Sequence, residues 1–378
     1  MKRVYLDNAA TTPLLPSVQQ AMSDVIGVFG NASSMHTEGR QARQAIENAR
    51  SHIAKLIGAL PDEIIFTSGG SESNNMLIDS FSDQKIAVSA IEHPSILEPA
   101  KLNPNLKIIP VDKSGKVNFE AYRKILADKP ALVSVMLANN EIGTIQDIRS
   151  LAELAHNSGC LVHTDATQAV GKIPVNVNDL GVDYLTMSAH KIGGPKGVGT
   201  LYIRTGSPVR GLILGGHQEK TLRAGTYNTL GIIGFGEAAK YALETPSLFK
   251  RVRPYCQKLR DEIVKNIPGS VVNGDQADTL PHILNVSFKG AEGESILLAL
   301  DDAGIAISTG SACASDDITP SHVLMAINAD PELAHGSIRF SLGLDTTDQD
   351  IDYVLKVLPP VIAKLRSFST AYNERTKK

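Results

Sequence analysis

The sequence predicts an α/β protein with a large domain on a mostly parallel sheet and a smaller α+β C-terminal domain. Three observations carry that reading. At ~150 residues per domain, the 378 residues make room for two domains. Short apolar runs alternate with amphipathic stretches through the first 245 residues, the pattern of strands joined by helical crossovers. At Thr245-Pro246 the pattern changes, which puts a boundary there: residues 1–245 and 246–378, with residues 1–15 free to pack on the second domain.

The elements follow in order. Residues 41–57 carry a helical stripe of Ala42, Ala45, Ile46, Ala49, Ile53, Leu56 and Ile57. Ile64-Ile65-Phe66 reads as a strand, then a Gly/Ser turn and a helix. Further strands are expected at 86–88, 107–111, 132–137, 160–163, 184–187 and 200–203, with helices at 119–127 and 151–158 between them. Beyond the boundary, residues 249–266 predict one long charged helix. Strands at 283–288, 305–308 and 338–342 then alternate with helices at 294–300 and 321–328. Thr347 and Asp350 form a capping-box pattern for the last helix, and residues 373–378 read as a frayed polar tail.

Composition narrows the function classes. Gly 31 and Pro 19 exclude collagen-like and low-complexity chains, and 42% hydrophobic residues with 20% charged exclude disorder. A net charge of −3 offers no basic field for nucleic acid. No apolar run spans a membrane, and Asp7 stands where a signal peptide needs apolar residues. Cys160, Cys256 and Cys313 lack CxxC spacing, which points to a reducing compartment, the cytoplasm, and away from disulfides and structural zinc.

Ligands of open parallel sheets bind outside the carboxyl ends of the strands, so polar residues just after strands are the candidates. Thr67-Ser68-Gly69-Gly70-Ser71 between a strand and a helix start offers free N–H groups for a phosphate, or simply a capped turn. No Lys-Ser/Thr follows, so it is not a nucleotide-triphosphate loop. Gly234-Phe235-Gly236-Glu237-Ala238-Ala239 matches a dinucleotide fingerprint formally, but no strand precedes it and helix packing is the better reading. Asp165 closes a strand, where it can hold a protonated ring nitrogen or cap the next turn. Metal binding with His163 lacks a third ligand. Lys191, after a strand, beside His190 and before a glycine turn, departs from the usual solvated lysine; a desolvated amine forms Schiff bases. His93 and Asn140 also fall at strand ends. Cys313 sits among small polar residues, as a reactive thiol does, whereas Cys160 and Cys256 belong to packing.

Taken together, Tyr5-Leu6-Asp7-Asn8-Ala9-Ala10-Thr11-Thr12-Pro13, Glu92-His93-Pro94, Asn139-Asn140-Glu141-Ile142-Gly143, Asp165-Ala166-Thr167-Gln168, Ser188-Ala189-His190-Lys191, Gly225-Thr226, Gly310-Ser311-Ala312-Cys313 and Ser337-Ile338-Arg339-Phe340-Ser341 stand in one order. In that order they resemble the NifS/IscS-like cysteine desulfurases of the class V aminotransferase fold, over residues 4–370. The resemblance implies a pyridoxal-phosphate-dependent transferase of fold type I. Lys191 would carry pyridoxal 5'-phosphate, Asp165 would pair with the ring nitrogen, and Gln168 and Asn140 would bond the ring hydroxyl side. Gly70, Ser71, Ser188 and His190 would hold the phosphate, with Thr226 reaching it from the other subunit of a homodimer. His93 would stack on the ring and shuttle protons. Arg339, helped by Asn140, would clamp the carboxylate of L-cysteine. The Cys313 thiolate would take the sulfur as a persulfide, release L-alanine and pass the sulfur to acceptor proteins such as an iron–sulfur scaffold or a tRNA-thiolation carrier. A selenocysteine lyase or cysteine sulfinate desulfinase on the same fold is the alternative. Three positions depart from the family pattern: Ala32 for proline, Ser71 for threonine, and Gly193 for tyrosine or histidine.

Overall fold

The computed structural model describes residues 3–246, 248–309 and 320–368. Cys313, the residues before it from Gly310, and the tail from Asn373 lie outside the described residues. A short strand β1 (Val4–Tyr5) leads to helices α1 (Pro16–Asp24) and α2 (Thr37–Ile57), the latter ended by Gly58 in the left-handed region at φ 69°. A seven-stranded sheet follows: β2 (Ile64–Thr67), β3 (Ile86–Ser89), β4 (Leu106–Ile109), β5 (Leu132–Ser134), β6 (Leu161–Asp165), β7 (Tyr184–Ser188) and β8 (Gly199–Ile203). Helices α3 (Gly70–Ser80), α4 (Pro94–Lys101), α5 (Phe119–Leu126), α6 (Ile148–Asn157) and α7 (Val177–Leu180) connect these strands, and α8 (Thr229–Glu244) comes after them.

The strand order is β2-β8-β7-β6-β5-β3-β4, and only β8 runs against its neighbours. The carboxyl ends of β2, β3, β5, β6 and β7 therefore all open on one side, which gathers the turns after them. Both faces of the sheet are covered, so β2, β3, β5, β7 and β8 are buried residue by residue. Gly236 belongs to α8 and meets α2 so closely that a Cβ there would lie 2.5 Å from the Ala49 side chain. The formal dinucleotide fingerprint is thus a helix-packing stripe, as its sequence context suggested.

The rest of the chain builds α9 (Arg253–Asn266), β9 (Ser270–Val272), β10 (Ile283–Phe288), α10 (Gly293–Asp302), β11 (Ile305–Ala306), β12 (Ser308–Thr309), α11 (His322–Ala326), α12 (Pro331–His335), β13 (Ser337–Ser341) and α13 (Asp348–Phe368). Its antiparallel sheet has the order β12-β13-β10-β9, with a core of its own that includes Leu284, Phe288, Ile296 and Phe340. Val4 and Leu6 belong to this second core, because β1 pairs in parallel with β11. Thr347 and Asp350 do exchange capping bonds: each backbone N–H donates to the other's side chain, at 2.9 and 3.3 Å.

Three expected elements differ. The charged helix starts at Arg253 rather than 249: Pro254 stands in its first turn, where a missing N–H is harmless, and Leu248–Arg251 forms a separate 3-10 turn. The strand expected over 305–308 splits, its first half pairing with β1 and its second with β13. The strand over 132–137 ends as a regular ladder at Ser134, although Val135 and Leu137 still donate to the carbonyls of His163 and Asp165.

Candidate active site

A cavity of ≈ 540 Å³ opens at the carboxyl ends of the parallel strands. Of the positions singled out from the sequence, Gly70, Ser71, His93, Asn140, Asp165, Gln168, Ser188, His190, Lys191 and Arg339 line it. Thr226 does not: it lies exposed in the segment before α8.

Each wall comes from a turn after a strand. After β2 the chain passes through Ser68 and Gly69 into α3, whose first residues Gly70 and Ser71 line the cavity. Gly70 lies against Thr167 and Ser188: a Cβ on it would come within 3.4 Å of the Thr167 hydroxyl and 3.8 Å of Ser188, ordinary contact distances. Ser188 ends β7, and the 3-10 turn after it carries His190 and Lys191. Burial pushes His190 down to about 4, helped by the positive charges of Lys191, Lys196 and Lys172. Its neutral ring shares a hydrogen bond of 3.1 Å with the Thr11 hydroxyl. Lys191 Nζ donates to the carbonyls of Ala9 (2.5 Å) and Ala10 (2.7 Å), while its own carbonyl accepts from Lys172 Nζ at 2.9 Å. Lys172 is itself buried, and desolvation lowers its amine to about 7.

Asp165 ends β6 and is held on both oxygens. The Thr167 N–H donates to Oδ1 and Asn74 Nδ2 to Oδ2, each at 2.9 Å. Asn74 also donates to the Ser95 hydroxyl at 2.8 Å, and that hydroxyl lies 2.8 Å from His93 Nδ1. The Ser95 N–H donates to the same Nδ1 at 3.1 Å, so the neutral ring carries its proton on Nε2. Burial holds His93 below the ordinary imidazole range; Asp165 pulls the other way, and Lys191 and His322 reinforce the fall. One line of hydrogen bonds thus runs Asp165, Asn74, Ser95, His93.

Arg339 reaches the cavity from β13. Its Nη2 donates to Asp7 Oδ1 at 2.8 Å and its Nη1 to the Asn140 carbonyl at 3.1 Å, while Nε is buried without a partner. Asn139 shapes the neighbouring turn by accepting from the N–H groups of Glu141 and Ile142. Glu141 is buried and raised to about 7 by desolvation; the Ser321 hydroxyl donates to it at 2.5 Å.

The sequence reading did not single out Asn74, Ser95, Lys172 or Thr167. Asn74 lies one helical turn beyond Gly70, a spacing that puts both on one face of α3 and offered a usable signal. Lys172 carried none, since only the fold brings it beneath Lys191.

Residues 4–354 match the family described as aminotransferase class-V. The chain belongs to the class-V aminotransferases. This class-V aminotransferase is 51% identical to a cysteine desulfurase IscS of Dictyoglomus turgidum, over 98% of this chain and 97% of that one. It is 42% identical to the cysteine desulfurase NifS of Azotobacter vinelandii, over 98% and 95%. The solved NifS-like protein from Rickettsia africae superposes with a TM-score of 0.90 at 32% identity, covering 96% of this chain and 100% of its own. Within the family the chain is NifS/IscS-like and depends on pyridoxal phosphate.

The cavity of this class-V aminotransferase fits that cofactor. Gln168 Oε1, Thr167 Oγ1 and Asn74 Oδ1 are buried polar atoms without protein partners at its wall, beside an acid, an amine and a helix N-terminus. Two of the departures can be placed. Gly193 adopts φ 83°, and a Cβ there would meet the Leu15 side chain at 2.5 Å, so Leu15 fills the space a larger residue would take. Ser71 retains a hydroxyl at the cavity wall.

Proposed function

We propose that this enzyme moves sulfur from L-cysteine to its own Cys313. The C–S bond of cysteine breaks, an S–S bond forms on Cys313, and L-alanine leaves. The single observation that supports this best is the convergence of Lys191, Asp165, His93 and Arg339 on one cavity. Pyridoxal phosphate bound there supplies an electron sink for a carbanion at the substrate α-carbon.

The chain's own residues would divide the work. Lys191 holds the cofactor covalently and handles the α-proton. Asp165, held between Asn74 and the Thr167 N–H, would pair with the ring nitrogen. Gln168 and Asn140 hold the ring hydroxyl side. Gly70, Ser71, Ser188 and a neutral His190 hold the phosphate, joined by Thr226 of the partner subunit in a homodimer. His93, whose neutral ring carries its proton on Nε2, would stack on the bound ring and shuttle protons. Arg339, already oriented by Asp7 and the Asn140 carbonyl, offers its fork to the substrate carboxylate. Cys313 then hands its sulfur to an acceptor, an iron–sulfur scaffold or a tRNA-thiolation carrier, in the cytoplasm, where Cys160 and Cys256 stay free. The division of labour follows the proposed domains: 1–245 for the cofactor, 246–378 for Arg339 and Cys313, with β1 bound to the second.

Two variants test the reading. Lys191→Ala should lose the visible absorbance of the bound cofactor. Cys313→Ala should keep the absorbance and stop release of alanine and sulfide from cysteine. Normal alanine production by Cys313→Ala would overturn the nucleophile, and turnover of selenocysteine or cysteine sulfinate without cysteine would favour the alternative substrates.

A further inference from the structure

The turn that leads to Thr226 is held in a conformation its residues do not choose. Glu219 (φ 45°), Lys220 (φ 59°) and Thr221 (φ 69°) are three successive non-glycine residues in the left-handed region, the last of them β-branched. Such a run persists only where its surroundings fix it, and it clusters at ligand clamps. Here the fixing group is the Glu219 side chain. It is buried, and both its oxygens accept from the buried Arg50: Nη2 to Oε1 at 2.7 Å and Nη1 to Oε2 at 2.9 Å. The Phe66 N–H donates to Oε2 at 2.6 Å, at the strand that feeds the Gly69-Gly70-Ser71 cradle. Arg50 lies 4.6 Å over the Phe66 ring and also binds the Ile64 carbonyl.

A second bolt follows. Arg223 Nε donates to Glu72 Oε1 at 2.9 Å, and Glu72 Oε2 accepts from the Ser68 N–H at 2.8 Å, within the same cradle. Thr226 comes three residues later, exposed. The segment is therefore pinned twice to its own subunit's Ser68-Gly69-Gly70 turn, while Thr226 itself is exposed and outside that subunit's cavity lining.

We propose that Glu219, through its pair with Arg50, is a positioning residue for cofactor binding across the dimer: it fixes the turn that presents Thr226 to the phosphate of the other subunit. This rests on the reading of Thr226 given above. Without the carboxylate, the buried Arg50 keeps the half-exposed Glu47 as an ionic partner, but the first of the three left-handed residues loses the buried bonds that tie it to Arg50 and to the Phe66 N–H.

The test is a double-variant cycle on the full-length holoenzyme. Glu219→Gln, Thr226→Ala and the pair are diluted well below their unfolding temperatures. Cofactor loss is followed by visible absorbance, and subunit association by sedimentation. Each single variant should weaken cofactor retention by about tenfold, and the pair should be no worse than Thr226→Ala by more than about twofold, because both act through one contact. If Glu219→Gln does not fold, Arg50→Lys, which loses the two-pronged bond but keeps the charge, takes its place in the cycle. Unchanged retention in Glu219→Gln, or losses that multiply in the pair, would overturn the proposal while leaving Thr226 its role. Unchanged retention in Thr226→Ala would remove the reading of Thr226 and this proposal with it.

Discussion

Asn74 shows how a residue without chemistry of its own can govern the site. It donates to Asp165 and to Ser95, and so ties the carboxylate proposed for the ring nitrogen to the imidazole proposed for the ring face. A hydrogen bond to a charged group contributes about 1.5–3 kcal/mol, so Asn74→Ala should lower kcat by about ten- to a hundredfold with the cofactor retained. Steady-state kinetics beside an absorbance spectrum checks this, and an unchanged kcat refutes it. His93 makes a pH prediction. Burial lowers its pKa, so the neutral ring persists further into acid, and the acid limb of cysteine turnover should fall below the ordinary imidazole value of about 6.5. A pH–rate profile reads it directly. Glu92, fully buried next to His93, goes the other way: desolvation raises it to about 8. Its folded pKa lies above its unfolded one, so the folded state binds the extra proton between about 4.5 and 8, and stability falls as pH rises through that window. Ser89 Oγ and the Met136 N–H both donate to one oxygen, which glutamine would keep. Glu92→Gln should therefore raise the thermal midpoint at pH 8 to 9 and leave it nearly unchanged at pH 5.

Among the elements, α2 and α8 pack at close approach, Gly236 against Ala49. Gly236→Ala would drive a methyl to 2.5 Å from the backbone and side chain of Ala49, where neither helix can yield cheaply. Overpacking of this kind costs about 1–3 kcal/mol, and a matching fall in thermal midpoint is expected. An unshifted midpoint would mean the helices slide apart freely. Element periodicity was plain in the sequence: the stripe from Ala42 to Ile57 and the strand Ile64-Ile65-Phe66 fall where expected. Boundaries were less plain where a proline or a change of partner decided them. Pro254 sets the start of α9, and residues 305–309 divide between two sheets because β1 and β13 claim opposite ends.

At the scale of the whole molecule, the N-terminal strap joins the two cores. Leu6 is buried in the second core, whereas three and four residues on Ala9 and Ala10 offer their carbonyls to Lys191, and Ala9 also accepts from Gln168. Asp7 between them binds Arg339. Truncating a buried leucine costs about 2–5 kcal/mol, so Leu6→Ala should lower the melting temperature. Through the strap it should also speed loss of the cofactor at temperatures where the chain stays folded. Destabilisation with unaltered cofactor retention would confine the strap to a packing role.

The sequence by itself determined the element types, the turn after each parallel strand and, through the ordered motifs, the family and a set of candidate residues that mostly line one cavity. These are local or linear properties: periodicity, a glycine that admits a close approach, a polar residue at a strand end. Tertiary structure alone decided that Asp7 meets Arg339 across 332 positions, that Lys172 lies under Lys191, and that Arg50 reaches Glu219 across 169. Such pairings depend on which strand lies beside which and on desolvation once both partners are inside, and neither is written in the spacing of residues along the chain.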